Sequence, residues 1–171
     1  TMTQALVDML KHLKIDLVVL AGCMVIFTEE LVQAYPNAVI HLGKGDEEHF
    51  SDPVKVYKKI LWKIPDELYL TADRLIEDGE VIDVKGMTFT VMHTPGHTPG
   101  SVCLFSGDKV FSGDTLFAGS CGRTDLPGGD GNKIRESLQR LAQLEGSVTV
   151  YPGHGESTQM AWEKQYNPYM R

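Results

Sequence analysis

With 171 residues, 42% of them hydrophobic and 23% charged, the chain can bury one globular core, and its composition excludes a collagenous, coiled-coil or disordered protein. A formal net charge of −7 and a pI near 5.3 speak against nucleic-acid and anionic-membrane partners, because an acidic surface is repelled by both, and leave a small molecule as the expected partner. No apolar run reaches membrane-spanning length, the first residues carry no signal-peptide pattern, and Cys23, Cys103 and Cys121 show no paired spacing; a cytoplasmic protein with reduced thiols, single-domain over 1–171, is expected.

From Thr3 to Leu13, Leu6, Met9, Leu10 and Leu13 recur at helical spacing, and Ile15 to Leu20 reads as a buried strand. A second helix is expected to end at Tyr35, where Pro36-Asn37 breaks it, before a short strand Ala38-Val39-Ile40. Asp46 can cap a short acidic turn, and Asp46-Glu47-Glu48 reads as a solvated face. Pro53 to Trp62 can form a helix with proline at its first position, in a surface insertion. From Glu80 the texture changes to hairpins. Strands are expected over Glu80–Val84 and Met87–His93 around Lys85-Gly86, then over Ser101–Phe105 and Lys109–Ser112 around Ser106-Gly107-Asp108. Asn132 then opens an amphipathic helix carrying Ile134, Leu138, Leu141 and Leu144, and Val148 to Tyr151 is a last strand.

Three loops, each after a strand, set a metal-type ligand beside glycine: Thr94-Pro95-Gly96-His97-Thr98-Pro99-Gly100, Ser112-Gly113-Asp114-Thr115 and Pro152-Gly153-His154-Gly155. Glycine lets the backbone turn sharply beside a ligand, proline stiffens the loop, and the strand behind it holds the imidazole or carboxylate in place. One His-Gly pair alone is most often a turn with a surface histidine; three such loops in common placement form a pattern. Imidazole nitrogen and carboxylate oxygen suit zinc, iron or manganese, and the natural use of such an ion is to activate water for hydrolysis. His12, His41 and His49 read as structural or solvated, and His93 as a strand-end residue or a support behind the first loop.

At these loops the chain resembles the metallo-β-lactamase fold superfamily, nearest its glyoxalase-II-like (hydroxyacylglutathione hydrolase-like) branch. Thr94 to Ser101 looks like the motif with that family's third histidine, Gly113-Asp114-Thr115-Leu116-Phe117 like its bridging aspartate, and Tyr151 to Gly155 like its final histidine. Gly119-Ser120-Cys121-Gly122-Arg123-Thr124-Asp125 is similar to a segment shared with persulfide dioxygenases, and Asn167-Pro168-Tyr169 resembles bacterial single-domain members. The resemblance implies an α+β fold, an αββα sandwich with a metal site at one edge of two facing sheets. It implies zinc, one or two ions, with iron as an alternative, and a thioester or related acyl substrate. His97 would serve the first metal, His154 the second, and Asp114 would bridge them as the catalytic carboxylate. Arg123 and Asp125 would order the loop behind the site by an ion pair, or form a plain surface turn. Cys121 is expected to pack rather than react.

The chain departs from the family at one motif. His-x-His-x-Asp-His should follow the strand ending at Leu20, and Leu20-Ala21-Gly22-Cys23-Met24-Val25-Ile26-Phe27 stands there instead. Against the family pattern the sandwich is therefore expected to be N-terminally truncated, lacking the usual first hairpins; Cys23 or His41 could substitute as a ligand, but the apolar residues around Cys23 speak for a buried free cysteine instead. Three function readings remain: a hydrolase, a single-iron persulfide dioxygenase-like enzyme, and a non-catalytic scaffold or assembly subunit. Exposed strand edges left by a shortened sheet make a homodimer an expected assembly.

Overall fold

The computed structural model describes residues 2–14, 34–35, 39–52, 55–56 and 72–171. The expected strand Ile15–Leu20, Cys23, most of the helix ending at Tyr35 and most of the helix over 53–62 lie outside these residues.

Helix α1 (Met2–His12) forms where the apolar spacing places it, but of the expected stripe Leu10 is buried while Met9 and Leu13 are exposed, and Val7 is buried in addition; Lys11 in the last turn complements the helix dipole. The strand expected over 38–40 lies later, as β1 (His41–Gly43), so His41 is inside a strand rather than after it. Its position is set by its parallel partner β2 (Arg74–Ile76), which pairs His41 with Arg74; no local pattern could encode a partner more than thirty residues away. A short helix α2 (Glu47–Ser51) follows β1.

Strands β3 (Val81–Val84) and β4 (Met87–His93) make the expected hairpin. Lys85 and Gly86 sit at its turn with φ of 52° and 86°, the paired positive values of the turn that matches strand twist. Strands β5 (Val102–Ser106) and β6 (Lys109–Gly113) form the next hairpin. A small hairpin, β7 (Leu116–Phe117) and β8 (Ser120–Cys121), leads to helix α3 (Gly131–Leu141). Then come β9 (Thr149–Pro152), β10 (Thr158–Gln159) and helix α4 (Met160–Tyr166). The cap of α3 is Asp130, not Asn132: the Asp130 carboxylate accepts from the backbone N–H groups of Asn132 and Lys133 at 2.8 and 3.1 Å. An acceptor-only side chain two residues upstream outcompetes the amide.

The main sheet runs β10-β9-β6-β5-β4-β3, antiparallel except where β6 meets β9. That parallel pair needs a crossover, and the segment between the strands supplies it with α3. Alternation along the strands sends Cys103, Val110 and Val150 to one face, where Leu116, Ile134, Leu138, Leu141 and Met160 complete a core. Phe89 and Val91 point to the other face and pack with Ile76 and Ile82, joined by Val102, Leu104 and Phe111. The main sheet is thus covered by helices on one side and by β2 on the other, and the ligand-bearing loops leave β4, β6 and β9 at the same edge. Among the described residues no helix is long and apolar enough to cross a membrane.

Candidate metal centre

The loop after β4 is pinned on every side. At its neck Thr94, fully buried, shares a hydroxyl hydrogen bond of 2.9 Å with Thr115, and its N–H donates to the Ser101 carbonyl at 2.8 Å. Gly96 lies directly on α3: φ is 143°, and a Cβ there would sit 2.4 Å from Ile134 Cα, so only glycine permits the approach. The Ser137 hydroxyl donates to the Pro95 carbonyl at 2.8 Å, adding a second tie to the helix. His93 supports the loop from below, its Nε2 2.8 Å from the Pro99 carbonyl, and so takes the supporting role left open above.

Asp46 corrects the sequence reading. Its carboxylate makes no cap bond to α2 and is not a solvated face: it accepts from the Thr98 hydroxyl at 2.6 Å and the Gly100 N–H at 2.7 Å. A residue beside the smaller sheet therefore straps the His97 loop across more than fifty positions of chain. The only local hint was an aspartate one residue after a glycine turn, and long-range straps leave no periodic trace.

Asp114 follows β6 and is only 8% exposed. Its Oδ2 lies 3.3 Å from His97 Nε2 and its Oδ1 3.6 Å from His154 Nε2, so the carboxylate stands between the two imidazoles. His97 Nδ1 lies 2.8 Å from the Arg123 carbonyl; a carbonyl only accepts, so Nδ1 carries a proton and Nε2 is the ring atom that faces Asp114. Asp114 Oδ1 is buried without a hydrogen-bond partner, an orphaned acceptor that a bound cation would satisfy. His154 is held by the Gly153 N–H, which donates to the Gly113 carbonyl at 2.9 Å, and by the Phe117 ring, which meets it edge-on at 5.8 Å. At 62% exposure its side chain is the open side of the site.

These features fit metal ligation in part. An imidazole anchored through Nδ1–H to a carbonyl, and a carboxylate oxygen with no other partner, are what a ligand shell needs. The donors nevertheless sit on opposite oxygens of Asp114, and among the described residues no three His, Cys, Asp or Glu side chains group to hold one ion. His41 lies in the smaller sheet, and among the described residues it joins no group of metal-type side chains.

Arg123 and Asp125 form a two-point ion pair, both contacts at 2.7 Å, on an exposed turn. The Arg123 guanidinium draws the Asp125 carboxyl down to about 2, helped by a backbone hydrogen bond. The pair lies on the surface, and the backbone carbonyl of the same Arg123 is the one that meets His97 Nδ1. Gly122 seals that backbone to the site, since a Cβ there would lie 1.8 Å from the Asp114 carbonyl oxygen. Cys121 packs against the helical core, and burial raises its thiol, which disfavours a nucleophile.

Two more supports escaped the sequence reading. Glu163 is fully buried and accepts from Gly119 N–H at 3.0 Å, the Thr158 hydroxyl at 2.7 Å and the Asn167 amide at 2.7 Å. Asn167 also donates to the Ser120 carbonyl at 3.0 Å. Together they clamp the β7–β8 turn, from which Phe117 and Arg123 reach the two histidines.

The family profile described as the Metallo-beta-lactamase superfamily matches residues 28–154, more than half of the chain and all three loops. The chain belongs to the metallo-β-lactamase superfamily. Among curated relatives, hydroxyacylglutathione hydrolase GloC of Haemophilus influenzae is 37% identical over 97 residues, covering 55% of this chain and 46% of that protein. The chain spans about half the length of the curated relatives it matches. Among solved structures, the BLEG-1 B3 metallo-beta-lactamase superposes with a TM-score of 0.85 at 27% identity, covering 98% of this chain and 84% of that one. TTHA1623, solved in a di-iron-bound form, gives 0.78 at 32% identity, covering 97% of this chain and 84% of that one. The α+β sandwich of the superfamily is therefore the fold of this chain, and the superfamily is one of metallo-hydrolases whose members bind metal ions.

Proposed function

We propose that this superfamily member is a metal-dependent hydrolase of thioester or related acyl substrates, of the glyoxalase-II-like kind, with His97, Asp114 and His154 as its metal donors. The observation that carries the reading is the nearly buried Asp114 carboxylate with one oxygen toward each imidazole, 3.3 and 3.6 Å away. A bound zinc or iron, one ion or two, supplies the Lewis acidity that polarises a carbonyl and acidifies water near neutral pH.

The chain's own residues do the rest of the work by holding geometry. The Arg123 carbonyl fixes the tautomer and ring orientation of His97. The strap from Asp46 and the seat on α3 keep the His97 loop from swinging away. His154, largely exposed, borders the solvent side by which a substrate arrives.

The test is metal loading of the intact chain, read by native mass spectrometry after zinc or ferrous reconstitution, followed by hydrolysis of an S-acyl glutathione thioester. The expected result is stoichiometric metal in the parent, loss of metal in His97→Ala and Asp114→Asn, and thioester cleavage by the loaded protein. Oxygen consumption with a persulfide substrate, without thioester cleavage, would move the chain to the persulfide dioxygenase-like reading. A chain of correct mass that folds and takes up no metal would refute the enzyme reading and leave the non-catalytic scaffold, the reading that the missing His-x-His-x-Asp-His motif motivates.

A further inference from the structure

A second feature lies behind the wall that carries the His97 tie. Residues 121–125, the start of α3 and the chain around Tyr169 line a half-open cleft of about 600 Å³. Its lining includes Arg123, Arg135 and Arg171 and a single acidic side chain, Asp125, within a chain whose net charge is −7. The Asp125 carboxylate is already taken by Arg123 in two 2.7 Å contacts. Arg135 reaches only the Asn132 side-chain oxygen at 3.4 Å, and Arg171 only the Gln165 carbonyl at 3.2 and 2.5 Å. Neither has an acidic partner among the described residues.

Arginines left unpaired in an acidic protein, gathered in one concavity, concentrate positive potential where the rest of the surface repels anions. Guanidinium groups also present forked donors that match phosphate and carboxylate oxygens two at a time. Ile134 and Leu138 add apolar lining, and Tyr169, 53% exposed, adds an aromatic side chain beside the charges. The cleft shares its wall with the candidate centre: Arg123 is among its lining residues, and the Arg123 carbonyl lies 2.8 Å from His97 Nδ1.

We propose that this cleft is an anion subsite for the thiol portion of the substrate, and that its ligand is phosphorylated: a thiol carrier bearing a phosphate group. The uncompensated charge of the lining, Arg135 and Arg171 once Arg123 is paired with Asp125, matches a phosphate dianion better than a single carboxylate. The inference rests on the hydrolase reading for the substrate's thioester end, but the subsite itself needs neither metal nor turnover.

The experiment is therefore calorimetric binding to the metal-free full chain in EDTA at low salt, with coenzyme A as the phosphorylated thiol and glutathione as the carboxylate-bearing one. Expected are saturable binding of coenzyme A, at least fivefold tighter than glutathione, and loss of affinity as salt rises. Arg135→Ala and Arg171→Ala should each weaken it about fivefold or more, with Arg135→Lys retaining part of the affinity and circular dichroism unchanged in all three. Glutathione binding as tightly as coenzyme A would overturn the phosphate assignment. No binding of either thiol, or binding indifferent to both arginine substitutions, would overturn the subsite, whatever the metal experiments show.

Discussion

Replacing Asp46 tests whether the His97 loop is held by a strap from the smaller sheet. Its carboxylate accepts two hydrogen bonds, from the Thr98 hydroxyl at 2.6 Å and the Gly100 N–H at 2.7 Å, in a part-buried setting. Hydrogen bonds to charged groups are worth about 1.5–3 kcal/mol each when fully buried. Partial exposure lets water replace some of that, so Asp46→Ala should lower stability by about 2–3 kcal/mol, at or just below the low end of the two-bond sum of about 3–6 kcal/mol. Asn in its place keeps one oxygen for Gly100 and offers its amide to the Thr98 hydroxyl, which can turn its own proton toward the Ser101 hydroxyl 2.8 Å away. Asp46→Asn should therefore cost about 1 kcal/mol, the charge-assisted part alone. Urea denaturation at constant m-value reads both numbers, and zinc affinity reads the consequence for His97. If Asp46→Ala stays within about 0.5 kcal/mol of the parent, the range of an ordinary surface substitution, the strap is not structural and the reasoning fails.

The other predictions concern backbone fit and titration. Gly122→Ala would force a Cβ to within 1.8 Å of the Asp114 carbonyl oxygen and 3.3 Å of His97 Cβ, so it should lower the thermal midpoint and weaken metal uptake together; a variant with parental values for both would show that the two segments can part. Asp78 is partly desolvated, which opposes ionisation, yet the His93 N–H and the Arg140 guanidinium hold its carboxyl below the ordinary range. Its contribution is present above the unfolded carboxyl value and is lost as pH falls through the lowered folded one, so Asp78→Asn should flatten the acid limb of a stability–pH profile and leave neutral pH less stable. Burial pushes the Cys103 thiol up to about 11, against hydrogen bonds from Thr94 and Thr115. The neutral thiol is the folded form, so its contribution is full below the ordinary thiol value and fades as pH rises toward 11. Iodoacetamide labelling mapped by peptide mass should spare Cys103 at pH 8 until denaturant is added; labelling of the native chain there would contradict its burial.

What could be read without coordinates was whatever neighbouring residues encode together. Hairpins β3–β4 and β5–β6 showed themselves because strand alternation and turn glycines lie within a dozen residues, and α3 because Ile134, Leu138 and Leu141 share one face. The three ligand loops were legible for the same reason, since ligand, glycine and preceding strand are contiguous in each. Residues joined only through space were not. The β1–β2 pair, the strap from Asp46 to Thr98, and the Glu163–Asn167 clamp on the β7–β8 turn span 33, 52 and more than forty positions. Parallel pairing and buried carboxylates draw their stability from partners that local propensity does not specify. Family resemblance had already named His97, Asp114 and His154 together; only the tertiary structure put one oxygen of Asp114 beside each imidazole, because that distance depends on how β4, β6 and β9 lie side by side in one sheet.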